Sequence, residues 1–377
     1  MKFSKFAAAS VCLATAATAG AQIKVGVITS ATGPVASLGI PQKNAFSVAP
    51  ATLGGEPVTY TVLDDAGDPA VAGRLARKLI TEDQVDLIIG PGSSPTASAV
   101  SFIAAEAKTP MIALSPVPGE QARNPWVFSI SLPTPVGMKA VAEHLKASGS
   151  KNVGYIGFAD SWGDQVYGAL AQYADGYGYK VTSNERYARL DTSANSQALK
   201  VIASRPDAVF VGGGGTQGAL PQMALVERGY KGQVYHTGAV VNPEFLRVGG
   251  KALEGGLVYA GPFVIVDQLP DSNPSKKPGQ DFAKAYEAKF GTGSRNAFAA
   301  YSWDAIVVAD KAAAAAKAKG KPGTAEFRTA LRDALESTKE VAGSQGVYTM
   351  SPSDHSGNDL RSVVLLRISD GTWKLTK

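Results

Sequence analysis

The feature that most constrains this chain is a rhythm of short apolar runs, each ending in small or polar residues and each followed by a helix-sized segment. The runs are "IKVGVIT" (23–29), "VTYTVLD" (58–64), "VDLIIG" (85–90), "TPMIALS" (109–115), "NVGYIGF" (152–158) and "DAVFVGG" (207–213), with "GQVYHTG" (232–238) continuing the series. Between them, stretches such as Val71 to Glu82 and Gly137 to Ala147 repeat apolar residues at three-to-four spacing, the period of a helix with one buried face. Strands without a polar face, alternating with amphipathic helices, specify parallel βαβ units, because helices cover both sides of the sheet. The expected fold class is therefore α/β, with doubly wound parallel sheets.

The rhythm breaks at "WVFSISLPTP" (126–135), "GGLVYAGPF" (255–263) and "GVYTMSP" (346–352), each an extended apolar run edged by Gly or Pro. A chain of 377 residues exceeds a single typical core. Three breaks then imply three crossings between two lobes, each discontinuous in sequence. Lobe one is expected to hold residues 22–129 and 264–345, and lobe two residues 130–263 and 346–377. The second lobe would end in the hairpin "RSVVLLRISDGTWKL", where Asp370-Gly371 supplies a turn with positive φ. "LPDSNPSKKPGQ" (269–280) is expected to be an exposed loop.

Residues 1–21, "MKFSKFAAASVCLATAATAGA", place Lys2 and Lys5 before an apolar stretch and Ala19-Gly20-Ala21 at its exit. That order is a signal peptide, and the mature chain is expected to begin at Gln22. Cys12, the only cysteine, leaves with it, so the mature chain has no disulfide or thiolate metal site. No later apolar run approaches the ~20 residues that span a bilayer. Loss of Lys2 and Lys5 takes the formal charge from +5 to +3. The basic residues are scattered, without a stripe interleaved with aromatics, so nucleic acid is not an expected partner.

Catalytic patterns fail. His144, His236 and His355 are isolated, and no Gly-x-Ser-x-Gly elbow occurs. "VGGGGTQG" (211–218) lacks the Lys-Ser/Thr of a phosphate loop. Asp64, Asp65 and Asp68 in "LDDAGDP" suit strand-end turns and a helix cap better than a metal. No enzyme activity, metal or cofactor is expected.

"IIGPGSSPTASAV" (88–100) is different: bare hydroxyls stand where a buried strand becomes a helix. A helix started near Pro95 or Thr96 leaves its first amides unpaired at the positive end of its dipole, a seat for an anion such as a carboxylate. Ser93 and Ser94 would add hydroxyl donors; the alternative is that one of them merely caps its own helix. Other strand ends supply Ser115 and Pro116, then Asp160 and Trp162, then His236 and Gly238. In doubly wound sheets such loops share a cleft at the carboxyl ends of the strands. Phe298 and Tyr301, in "NAFAAYSWDAI", suit core packing and cleft lining equally.

In order, "IKVGVITSATGPVASLG", "LIIGPGSSPTASAV", "TPMIALSP", "NVGYIGFADSWGDQVYGAL" and "FAAYSWDAI" resemble the periplasmic binding proteins of leucine/isoleucine/valine type, over nearly all of the mature chain. The resemblance implies a type I fold of two lobes that close on a solute. It also implies a periplasmic location, monomers, and an ABC permease as partner. It puts a ligand carboxylate on Ser93, with Ser94 or Thr96 close by, and Trp162 as the aromatic wall of the second lobe. Here the threonine of the family's next loop is absent, since Ser115 is followed by Pro116 and Val117. Its acidic ammonium holder aligns with Gly238, and a second aromatic contact with Gly214, leaving Asp160 as the remaining acid. Burying an ammonium without acceptors costs on the order of several kcal/mol. The implied ligand is thus a small carboxylate without an amino group, benzoate-like or phenylpropanoid. Branched-chain amino acid binding and ligand sensing are the alternatives.

Overall fold

The computed structural model describes residues 22–376, so the expected leader lies outside the described residues. The first sheet begins with β1 (Ile23–Thr29), α1 (Ala36–Phe46), β2 (Thr52–Leu53) and β3 (Glu56–Asp64). It continues through α2 (Pro69–Thr81), β4 (Leu87–Ile89), α3 (Ser94–Glu106), β5 (Met111–Ala113) and β6 (Val127–Ser129). Its strand order is β2-β3-β1-β4-β5-β6, parallel except for β2. Successive residues of β4 serve opposite faces, as pleating demands. Ile88 packs in the cluster of α2 and α3, whereas Leu87 and Ile89 pack in the cluster that holds the helices of residues 297–336. Asp68 starts α2 by accepting from the amides of Ala70 (2.7 Å) and Val71 (3.1 Å), and Asp65 accepts from the Ser30 hydroxyl at 2.6 Å. The aspartate cluster is thus committed to turns and a cap.

The chain then enters α4 (Thr134–Ala147), β7 (Asn152–Phe158), α5 (Ser161–Tyr177), β8 (Lys180–Tyr187) and α6 (Asn195–Ala203). β9 (Ala208–Gly212), α7 (Ala219–Glu227), β10 (Gln233–His236), α8 (Pro243–Gly249) and β11 (Leu257–Ala260) follow. Helices α9 (Lys276–Phe290), α10 (Ala297–Ala316) and α11 (Ala325–Glu336) return to the first lobe, and β12 (Val341–Ala342) pairs with β13 (Val347–Tyr348). The hairpin of β14 (Val364–Ser369) and β15 (Thr372–Leu375) completes the second sheet, ordered β15-β14-β11-β10-β9-β7-β8. Asp370 (φ 55°) and Gly371 (φ 66°) form its two-residue turn.

Three expectations need correction. Residues 346–355 lie against the first lobe: Tyr348 and Met350 pack in its core, and the amide of Ser129 donates to the His355 carbonyl at 3.1 Å. The burial of these two side chains in the first core places the last crossing after His355. The segment from Phe263 straddles the lobes rather than opening lobe one at 264. Phe263 packs on Phe282 with ring centres 5.2 Å apart, while Ile265, Val266 and Leu269 join Leu366 and Trp373 of the second lobe. The loop expected over 269–280 is half helix, because Pro278 falls in the first turn of α9, where its missing N–H costs nothing.

One buried carboxylate ties the segment after α11 to α10. Asp304, fully buried on α10, accepts from the Ser344 amide (2.7 Å), the Ser344 hydroxyl (2.7 Å), the Gln345 amide (2.8 Å) and the Tyr348 hydroxyl (2.7 Å). Burial pushes its carboxyl up to about 6 against the pull of those four donors. The Gln345 side chain extends the joint, donating to the Ala297 carbonyl (3.0 Å) and accepting from the Phe263 amide (3.3 Å). Asp304→Ala strands these donors. It is expected to lower unfolding free energy by about 3–5 kcal/mol, measured from urea denaturation; a loss below about 1 kcal/mol would show that the segment is held elsewhere.

Candidate functional site

The carboxyl ends of the two sheets face each other across a cavity of about 590 Å³, its mouth included, in the size range of small-ligand pockets. On the first lobe, β4 turns into α3 through Gly92 and Ser93. Ser93 has extended backbone (φ −130°, ψ 145°) and makes no side-chain cap to its helix. Of the two roles open to it from sequence, the cap is therefore not the one it plays. Its Oγ pairs instead with Thr96 Oγ1 at 2.8 Å, and Thr96 Oγ1 lies 3.0 Å from the Ser93 carbonyl. Pro95 has no N–H, and the amides of Ser94 and Thr96 make no hydrogen bond among the described residues. Two free amides at the positive end of a 13-residue helix, beside a hydroxyl, form an arrangement that stabilises a carboxylate. Ser94 Oγ donates to the Pro116 carbonyl at 2.7 Å, which locks the strand ends of β4 and β5 together.

The opposite wall is built by α5 and the strand ends of the second sheet. Asp160 caps α5 through the amides of Trp162 (3.0 Å) and Gly163 (3.2 Å), which fixes the Trp162 indole in the cavity wall. Arg189 follows β8 and also lines the cavity; its Nε donates to Asp160 Oδ2 at 2.6 Å and its guanidinium lies 4.4 Å from the Phe158 ring centre. Gly214 and Gly238 line this wall with no side chain, and neither has the positive φ that would oblige a glycine. A Cβ would approach Ala239 Cβ to 3.1 Å at Gly214 and the Tyr259 carbonyl to 3.1 Å at Gly238. Close approach of Ala239 and of the Tyr259 carbonyl, not backbone conformation, is what favours glycine at these two positions. Phe298 and Tyr301 from the first turns of α10 close one side, with Asn296 capping that helix through the Phe298 amide at 2.9 Å.

The structure thus brings Ser93, Ser94, Ser115, Pro116, Trp162, Gly214, Gly238, Phe298 and Tyr301 to one cavity. It does not bring Thr96, Asp160 or His236 there. Thr96 is fully buried behind Ser93, where it orients that hydroxyl. Asp160 spends its oxygens on two amides and a guanidinium, so it is not free for an ammonium. His236 is buried in the second-lobe core, with Nε2 2.6 Å from Gln222 Oε1. Sequence reasoning missed Arg189, Tyr259, Leu38 and Ser131. Arg189 had a signal: it stands just beyond "KVTSNERY", an edge strand whose polar alternation hid it from a search for apolar runs.

A family model for periplasmic binding proteins matches residues 22–372, and the chain belongs to that family. A Leu/Ile/Val-binding protein of Rhizobium johnstonii is 25% identical over 346 residues, 89% of each chain. An extracellular ligand-binding receptor from Rhodopseudomonas palustris HaA2, solved as a crystal structure, is 42% identical with a TM-score of 0.92, over 94% of this chain and 100% of its own. A solute-binding protein of an ABC transporter from R. palustris, solved in complex with benzoate, is 21% identical with a TM-score of 0.78, over 94% and 95% of the two chains. The α/β fold of parallel sheets, expected from the rhythm of the sequence, is shared by these structures.

Burial holds the His236 imidazole down to about 3, so it is neutral in the folded protein. The unfolded chain takes up this proton near pH 6.5. Stability from this group is therefore complete above about 6.5 and is lost as pH falls towards 3. Between pH 7 and 5 the loss comes to about 2 kcal/mol. His236→Gln is expected to remove that much of the pH dependence, read from urea midpoints of both proteins at both pH values; equal pH dependence would count against it.

Proposed function

We propose that the chain is the periplasmic solute-binding component of an ABC importer of the branched-chain-amino-acid type, and that it captures a small aromatic or apolar carboxylate between its lobes. One observation carries the reading: among the described residues no Asp or Glu lines the cavity, and the one charged residue that does is Arg189. An α-amino acid buried here would leave its ammonium without a counter-charge, at a cost of several kcal/mol. A carboxylate meets the free amides of α3 and the Ser93 hydroxyl, while Trp162, Phe298 and Tyr301 offer ring faces to an aromatic body. The benzoate complex of the R. palustris neighbour supports the same class.

The mechanism is capture without chemistry. The carboxylate docks on the first lobe at the start of α3 and draws the Ser93 hydroxyl hydrogen away from Thr96 Oγ1, which itself donates to the Ser93 carbonyl. Trp162 and Arg189 then close from the second lobe, and contacts to both lobes favour the closed form that a permease recognises. Residues 1–21 direct export, and the mature protein works as a monomer.

A thermal-shift panel on the chain from Gln22 tests this by comparing leucine, valine and phenylalanine with benzoate, hydroxybenzoates and phenylpropanoid acids. An acid present at about 100 times its Kd adds about 2.7 kcal/mol of stability and raises Tm. Shifts with leucine or valine alone would overturn the reading. Ser93→Ala is expected to weaken the bound acid about tenfold or more, as loss of a hydrogen bond to a charged group does; calorimetry showing unchanged affinity would remove Ser93 from the site.

A further inference from the structure

We propose that Tyr259 is a specificity residue, whose phenol donates a hydrogen bond to an oxygen on the ligand remote from its carboxylate, so that the preferred solutes are hydroxylated aromatic acids. The inference rests on the aromatic-acid reading above. Tyr259, near the end of β11, lines the cavity and is only 2% exposed, yet its Oη has no hydrogen-bond partner among the described residues. Other polar side chains of the cavity wall have partners within the protein: Ser93 pairs with Thr96, Ser94 with the Pro116 carbonyl, Ser131 with Ser129 and Arg189 with Asp160. A buried hydroxyl without a partner is costly, and phenylalanine would fill the same ring space without that cost.

The ring cannot turn away to find a partner. It lies flat against α4, so close that a Cβ on Gly137 would come within 2.3 Å of Tyr259 Cδ2, and it stacks on Phe210 with ring centres 6.4 Å apart. The same row of rings continues to Tyr155, stacked on Phe210 at 6.5 Å. Tyr155 does what a buried phenol ordinarily does, donating to the Gly163 carbonyl at 2.7 Å. Tyr259 has equal burial, an equally fixed ring and no such acceptor; what distinguishes it is its place on the cavity wall. Burial raises its pKa well above the ordinary phenol value, so the group stays protonated and is available only as a donor or a neutral acceptor. The anion seat lies on the first lobe and Tyr259 on the second. Both line one cavity, and a rigid ring anchored by its carboxylate at Ser93 would carry a substituent on its other side towards the lobe that holds Tyr259.

Isothermal calorimetry on the chain from Gln22 tests this with two pairs, benzoate against 4-hydroxybenzoate and cinnamate against 4-hydroxycinnamate. The wild type is expected to bind the hydroxylated member of at least one pair about tenfold more tightly, the worth of one good hydrogen bond. In Tyr259→Phe that preference should shrink to within about threefold, with the Kd of the unhydroxylated acid changed by no more than about threefold. Ligand-free Tyr259→Phe should melt at or above the wild-type Tm, since it loses an unpaired buried group; a marked fall would show that the hydroxyl already has a partner and overturn the inference. Equal affinities within both pairs for the wild type, or a preference that survives in Tyr259→Phe, would overturn it as well while leaving aromatic-acid binding intact. Failure of all four acids to bind the wild type would bring down both readings together.

Discussion

Four hydrogen bonds converge on the Asp304 carboxylate, and the shape of the clamp depends on them. A buried charge is tolerated only when its lone pairs are filled, and here the donors come from the short segment that follows α11. Gln345 carries the constraint onward to the first turn of α10 and to the amide of Phe263. The helix that presents Phe298 and Tyr301 to the cavity is thus fastened to the segment after α11 and, through Gln345, to the crossing at Phe263.

The cavity itself separates two kinds of polarity. On the first lobe, free amides and hydroxyls await a negative charge without carrying a full charge of their own. On the second, the Arg189–Asp160 pair is closed upon itself, with the arginine side towards the cavity and the acid turned to the start of α5. On the proposed function, a carboxylate is favoured by both walls whereas an ammonium meets an arginine, so the proposed ligand class turns on the direction in which one ion pair points.

Much of the fold was legible because parallel strands covered on both faces leave an unmistakable apolar run, and because helix-period segments separate them. The crossing near residue 346 was misplaced for a physical reason. "GVYTMSP" has the look of a break in the rhythm, but Tyr348 and Met350 are apolar side chains that complete the first core. The cavity lining was legible where strands end in small or polar residues, as at Ser93, at Ser115 and just before Trp162. It was illegible where the strand is not an apolar run, which is why Arg189 went unseen at the edge of the second sheet. Asp160 and His236 were named for their chemistry, but one is consumed as a cap and the other by the core. Burial and partners, not residue type, decide whether a titratable group is available.

The glycine run after β9 shows how the lobes touch. Gly215, at φ 58°, lies so near α1 that a Cβ would sit 2.7 Å from both Ser37 Oγ and Leu38 Cδ1, and its amide donates to the Ala239 carbonyl at 2.7 Å. Bare backbone meets the other lobe at this point, with no long side chain to freeze and little apolar area to withdraw from water. On the capture proposed above, such a contact adds little to closure, which leaves the energy of closure to the solute.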